Sequence, residues 1–209
     1  MRTIGTVARL QIQRSSLKTG EKPNRVYDPA PLLPVLRLAV TPDGVLGGGG
    51  GGGGRGGRGG RGADGGWIVD VHHRAHPDTK NEDGLHGVSI GFTSHYAAMR
   101  EHFGDRIVVG CAGENIIVAT DRTFTYDDLA GGGGVAIVAR DGPELVRLKV
   151  LQVAHPCRPF TGWALGGGDR VEPDILKAHL QFLDGGTRGF YCVGEGSGTV
   201  AVGDRLVLV

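Results

Sequence analysis

Cysteine is the residue type in this chain with the widest reach in chemistry, and there are three: Cys111, Cys157 and Cys192. A sparse, odd set is not a disulfide framework, and none belongs to a CxxC pair of the kind that builds structural zinc sites. Cys157 lies in VAHPCRPF, between Pro156 and Pro159, directly after the apolar run 145–154. The two prolines restrict the backbone around it. His155 and Arg158 flank it in sequence. A thiol at a strand end beside such cations is placed to favour thiolate, the form that attacks electrophiles and binds soft metals. A structural cysteine in a rigid turn fits the same spacing equally well. Cys192 sits in the apolar run FYCV, where burial would keep a thiol inert, and Cys111 follows IVVG with no nearby cation in sequence except Arg106.

Two further clusters carry polar chemistry. GENI, residues 113–116, puts a carboxylate and an amide, Glu114 and Asn115, at the start of a strand. They either hold a loop together or bind a polar ligand, and the residue types favour the structural use. HHRAH contains His72, His73 and His76, with Asp78 after it. The spacing of His73 and His76 suits a helix, but the preceding WIVDV and the following Pro77 oppose one. A polar loop lining a ligand cleft is therefore the better reading, ahead of a metal cluster. No GxSxG element and no phosphate-binding or dinucleotide fingerprint is present.

These residues need elements to position them. TIGTVARLQIQ, 3–13, reads as an opening strand and Val35–Val40 as another, with an irregular proline-rich loop at 23–34 between them. WIVDV, 67–71, and GENIIVAT, 113–120, read as strands. VAIVAR and LVRLKVLQVA read as a hairpin turned at Asp141-Gly142-Pro143. Residues 88–102 carry a long helical pattern that Ser89 or Thr93 could cap and Gly104 ends. FTYDDLA, 124–130, reads as a short helical turn, and 172–183 as a second helix with Pro173 in its first turn. The C-terminal stretch from Phe190 reads as short strands joined by glycine turns. Many short strands with few helices predict a mainly β fold, a barrel or sandwich with helical decoration.

The 209 residues suit one domain, 1–209. Gly47–Gly66 is expected to be a flexible, low-complexity insertion in it. Its three RGG units resemble RNA-binding segments, but so few arginines without interleaved aromatics give little affinity, so nucleic acid is not an expected partner. A formal net charge of +1 creates no global field toward nucleic acid or a membrane surface. No apolar run approaches the roughly 20 residues of a membrane helix. The opening residues lack the apolar core of a signal peptide, and the free cysteines suit a reducing, cytoplasmic setting.

In order, GENI (113–116), HPC (155–157), TRGFY (187–191) and GTVAVGD (198–204) resemble the MOSC family, the domain at the C-terminal end of molybdenum-cofactor sulfurases. It also occurs in amidoxime-reducing components and in small stand-alone bacterial proteins. The likeness covers about 105–209 closely and the histidine stretch from 72 more loosely. It implies a MOSC-like β-barrel with a few decorating helices. It also implies that Cys157 is the catalytic residue, as the molybdenum ligand of a pterin cofactor or as a sulfur carrier. Arg188 falls at the family's basic position and would grip a cofactor phosphate through two parallel bonds. With it, Glu114, Asn115, His155 and Arg158 form the expected cofactor-binding set. The implied function is an oxidoreductase that reduces N-hydroxylated compounds. The alternative is a non-enzymatic carrier of sulfur, as a persulfide, or of molybdenum cofactor. Partners would be a small-molecule substrate and an electron-donor or sulfurase protein. Pyridoxal phosphate belongs to the fused sulfurase domain, and no lysine here stands out as its Schiff-base partner.

Overall fold

The structure, a computed structural model, describes residues 1–48, 66–79, 81–167 and 171–209. The chain opens with strands β1 (Arg2–Gln13), β2 (Lys18–Thr19), β3 (Val26–Tyr27), β4 (Leu32–Val35), β5 (Arg37–Thr41), β6 (Gly44–Gly48), β7 (Ile68–Val69) and β8 (Val88–Phe92). Helix α1 (Thr93–Phe103), β9 (Ile116–Ala119), helix α2 (Tyr126–Ala130), β10 (Val135–Val138) and β11 (Glu144–Val153) follow. Helices α3 (Arg158–Ala164) and α4 (Pro173–Leu183) precede β12 (Phe190–Glu195), β13 (Gly198–Ala201) and β14 (Arg205–Leu208).

Seven strands close on themselves in the order β1-β14-β10-β11-β12-β8-β9 and back to β1, and β4 adds to β1 as a flap. Closure leaves the ring itself without a free edge. Only β8 and β9 run parallel in this ring. The alternation in ELVRLKVLQV makes a wall: Val146, Leu148 and Val150 are buried while Arg147 and Lys149 face out. In β12 the same alternation turns Phe190 and Cys192 into the barrel interior. A second sheet, β13-β5-β6-β7, packs Leu38, Val40, Val45 and Val200 onto the same core. A separate core of Tyr96, Met99, Ile107, Phe160 and Leu183 lies where the helices cover the barrel. The mainly β barrel with a few helices is thus as expected.

Several local expectations change. Residues 88–92 are a strand, and α1 begins only at Thr93. All of Val88–Phe92 is buried, and a strand covered on both faces has no alternation to distinguish it from helix. Val35–Val40 is two strands, broken at the exposed Leu36, because β4 joins β1 while β5 joins β6 and β13. The proline-rich loop contains β3 and the start of β4; Pro34 is tolerated because β4 is an edge. In WIVDV only Ile68–Val69 is strand. The cysteine loop runs straight into α3, with Pro159 in its first turn, where proline's fixed φ and missing N–H favour a helix start. In the glycine tract, Gly47 and Gly48 belong to β6 and pair with Leu38 and Arg37. A Cβ on Gly48 would come within 2.7 Å of the Trp67 ring, so glycine is what lets that ring lie against the strand. The rest of the expected insertion, 49–65, lies outside the described residues. Among the described residues no helix is long and apolar enough to cross a membrane.

Candidate functional site

Cys157 caps α3 from outside the helix, with extended φ and ψ of −133° and 146°. Its carbonyl accepts from the N–H and the hydroxyl of Thr161, at 3.1 and 3.0 Å, which pins the residue to the helix start. Upstream, the Ala154 N–H bonds the Gly189 carbonyl at 2.9 Å, so the end of β11 is tied to the loop that enters β12. The sulfur is half-buried, whereas Cys111 and Cys192 are buried. Burial, helped by Glu114, pushes the Cys111 thiol up to about 12, and burial alone pushes Cys192 up. Cys157 is therefore the one cysteine of the three open to a reagent.

The cation that meets its sulfur is Arg188, not either sequence neighbour. Arg188 Nη1 lies 3.7 Å from Cys157 Sγ, and Nη2 donates to the Ala112 carbonyl at 3.0 Å. The guanidinium also stands 4.3 Å from the Phe160 ring centre, a cation–π contact. Burial works against its charge, but Cys157, Tyr27, Tyr191 and Glu114 around it outweigh that and hold its pKa above the ordinary value. Two glycines make this position reachable. Gly189 has φ +90° and a Cβ there would lie 2.3 Å from the Ile90 carbonyl oxygen; Gly186 has φ +106° and sits against Phe190. His155 and Arg158 are both exposed. His155 turns its ring toward Asp184, Nδ1 to Oδ1 at 3.3 Å, and Arg158 is the first residue of α3.

Glu114 and Asn115 lie beneath the site. Tyr96 donates its hydroxyl to Glu114 and accepts the Ala112 N–H at 3.1 Å. Burial pushes the Glu114 carboxyl up, against the opposing pull of Tyr96 and Arg188. The Asn115 amide joins three segments: its Oδ1 accepts from the Ser89 N–H and hydroxyl, and its Nδ2 donates to Gln11 and Asp70. Neither side chain lines the neighbouring cleft.

That cleft, of about 290 Å³, is walled by Lys18, Arg25, Arg188, His72 and His86, with the rings of Tyr27 and Tyr191 and one carboxylate, Asp78. Lys18, Arg25 and Arg188 set three fixed cations against the one carboxylate in a chain of formal net charge +1, a local balance that suits an anion. Arg25 and Arg188 each bury an Nε with no partner among the described residues. The histidine loop does line a cleft, through His72 and Asp78. His73 and His76 instead accept the N–H groups of Ala75 and Asp78 within their own turns. No three His, Cys, Asp or Glu side chains gather as a metal-binding group among the described residues. Sequence reasoning missed Lys18, Arg25, Tyr27, His86 and Tyr191. Nothing local marks them, because they come from segments far apart in the chain that only the fold brings together.

Residues 86–207 match the family model of the MOSC domain. The fold resembles that of the YUAD protein from Bacillus subtilis, with a TM-score of 0.55 at 16% identity over 97% of this chain and 93% of that one. It also resembles YiiM from Geobacillus stearothermophilus, with a TM-score of 0.51 at 18% identity over 98% and 74% of the two chains. For YiiM from Escherichia coli the values are 0.50 and 14%, over 100% and 70%. A search of curated proteins finds no match.

Proposed function

The chain belongs to the MOSC domain family, and from that premise we propose that it binds a molybdenum–pterin cofactor beside Cys157 and reduces N-hydroxylated compounds. The observation that carries this reading is Arg188, which lines the cationic cleft and brings Nη1 to 3.7 Å from the sulfur of Cys157, a residue that lies behind the cleft lining. A thiolate at 157 would face a fixed positive charge, and a thiolate is a soft metal ligand. The orphaned Nε atoms of Arg25 and Arg188 fit an anionic group such as the cofactor's phosphate. The cleft volume lies near the lower end of ligand pockets, roughly 300–1,000 Å³.

Cys157 would hold the metal, while Lys18, Arg25 and Arg188 would hold the phosphate. When bound, the cofactor supplies two-electron redox chemistry. An N-hydroxylated substrate takes up two electrons and two protons, the N–O bond breaks, and the products are the N–H compound and water. An electron-donor partner protein restores the electrons. Tyr27 and Tyr191 offer apolar ring faces that exclude water on one side of the cleft. Glu114 and Asn115 hold the frame and transfer no proton to or from the substrate in this scheme.

The test is the molybdenum content of protein purified from a cell able to make the cofactor. The reading expects close to one molybdenum per chain, lost in Cys157→Ser. No molybdenum in the parent, or full loading in Cys157→Ser, refutes it. A labile sulfane sulfur on Cys157 in metal-free protein points instead to the carrier alternative.

A further inference from the structure

We propose that His95 is the positioning residue for Arg188: by holding the Gly186 carbonyl it sets the turn that carries the guanidinium to the sulfur of Cys157, a placement whose use rests on the reading above. His95 lies in the first turn of α1, is buried, and does not line the cleft. Its Nδ1 stands 3.0 Å from the Gly186 carbonyl oxygen, and its Nε2 stands 3.0 Å from the Phe124 backbone nitrogen. A backbone N–H can only donate and a carbonyl can only accept. Nε2 is therefore the bare nitrogen and Nδ1 carries the hydrogen, so the ring is neutral and in one tautomer. Burial holds it below the ordinary histidine range, against the pull of the Gly186 bond, in agreement with a neutral ring. The rings of Phe92 and Phe190 flank it, with centres at 5.2 and 6.2 Å.

The same Gly186 carbonyl accepts the Gly189 N–H at 2.7 Å, which closes a four-residue turn with Arg188 at its third position. Gly186 and Gly189 supply the positive φ values, +106° and +90°, that the turn requires. The turn is slung between elements. The Gly189 carbonyl accepts the Ala154 N–H at 2.9 Å, just past β11. The Thr187 hydroxyl is shared between the carbonyls of Phe182 and Asp184, at 3.2 and 3.4 Å, at the end of α4. Among the described residues, His95 is the one side chain from outside the turn that bonds its backbone.

Arg188 makes its own contacts only at the guanidinium: the Ala112 and His155 carbonyls, the Cys157 sulfur and the Phe160 ring. The direction in which its long side chain sets out is inherited from the turn. Fixing that direction in advance spares part of the ordering cost when an anion binds. A buried histidine that touches neither cleft nor cysteine thus decides whether the cation meets them.

The test uses the full-length, metal-free protein and NMR, with molybdenum per chain from cofactor-making cells as a further readout. The ¹⁵N spectrum of the parent should show His95 neutral and protonated on Nδ1. Two variants separate the two bonds of the ring. His95→Asn sets its amide nitrogen at the place of Nδ1 and keeps the donor to Gly186. His95→Gln sets its amide oxygen at the place of Nε2 and keeps the acceptor for Phe124. In His95→Asn, Gly189 amide exchange and the ring-current shift of the Arg188 side-chain protons over Phe160 should stay as in the parent. In His95→Gln, Gly189 exchange should be at least about fivefold faster relative to the barrel-strand amides, the factor one buried hydrogen bond is worth. The ring-current shift should be lost, and molybdenum loading should fall with it. A role in general stability alone would move both variants together. Equal Gly189 exchange and equal Arg188 shifts in the two variants overturn the assignment. An Nε2-protonated His95 in the parent also overturns it, whether or not either variant folds. A parent without molybdenum overturns the cofactor reading instead, while the NMR outcomes still decide the positioning of Arg188.

Discussion

Asn115→Ala isolates the joint on which the barrel and the cleft both depend. The amide makes four buried hydrogen bonds: from the Ser89 N–H at 3.0 Å and hydroxyl at 2.9 Å, and to the Gln11 carbonyl at 3.3 Å and Asp70 Oδ2 at 3.0 Å. Three are neutral and one meets a carboxylate. At about 1 kcal/mol for each neutral bond and about 2 for the charged one, the sum is about 5 kcal/mol, less what water or relaxation restores. We expect a loss of about 4 kcal/mol, a large share of the roughly 5–15 kcal/mol that a domain has. For a chain of this size that lowers Tm by roughly 8–16 °C. The assay is denaturant unfolding followed by tryptophan fluorescence and circular dichroism. Asn115→Asp is the companion: it keeps an acceptor toward Ser89 but sets a second oxygen against Asp70. It should be worse than alanine at neutral pH and recover on acidification, as the new carboxyl protonates and donates. A loss below about 1 kcal/mol for Asn115→Ala, with m unchanged, would refute the reasoning. Unchanged stability with lost cofactor loading would return Asn115 to the ligand-binding role that its sequence motif suggested.

Further outcomes follow from the same geometry. Iodoacetamide should label Cys157 well ahead of buried Cys111 and Cys192 in metal-free folded protein, read by peptide mass mapping; preferential labelling of either buried cysteine contradicts the burial argument. Arg188→Lys should lower molybdenum loading while leaving Cys157 labelling possible, because lysine lacks the planar fork that spans the Ala112 carbonyl and Cys157 sulfur; equal loading counts against the role. Glu114 is held above the ordinary glutamate range by burial, so the folded state keeps a proton that the unfolded chain releases above about pH 4.3. Its contribution to stability therefore falls as pH rises from there through the folded value. Urea unfolding of Glu114→Gln should show that slope removed, and an identical pH dependence in variant and parent contradicts it.

What the sequence determined by itself is what depends on near neighbours. The strand LVRLKVLQVA, its turn at Asp141-Gly142-Pro143 and the apolar setting of Cys192 are local patterns, and each appears in the barrel, the strand running over Glu144–Val153. The capping box of Thr125 and Asp128 likewise starts α2 where FTYDDLA indicated a helical turn. Tertiary structure decided what depends on pairing across the chain. Val88–Phe92 is strand because β9 and β12 flank it, although its own residues carry a helical pattern into α1. The reactive-looking cysteine was legible from its prolines, but its cation was not. His155 and Arg158 adjoin Cys157 in sequence, yet an extended residue entering a helix sends them outward. Arg188, 31 positions away, arrives because the β11–β12 pairing and the glycines beside it bring its loop over the sulfur. The cleft is the extreme case: Lys18, Arg25, His72 and Arg188 have no relation in sequence, and only closure of the barrel puts their charges around one space.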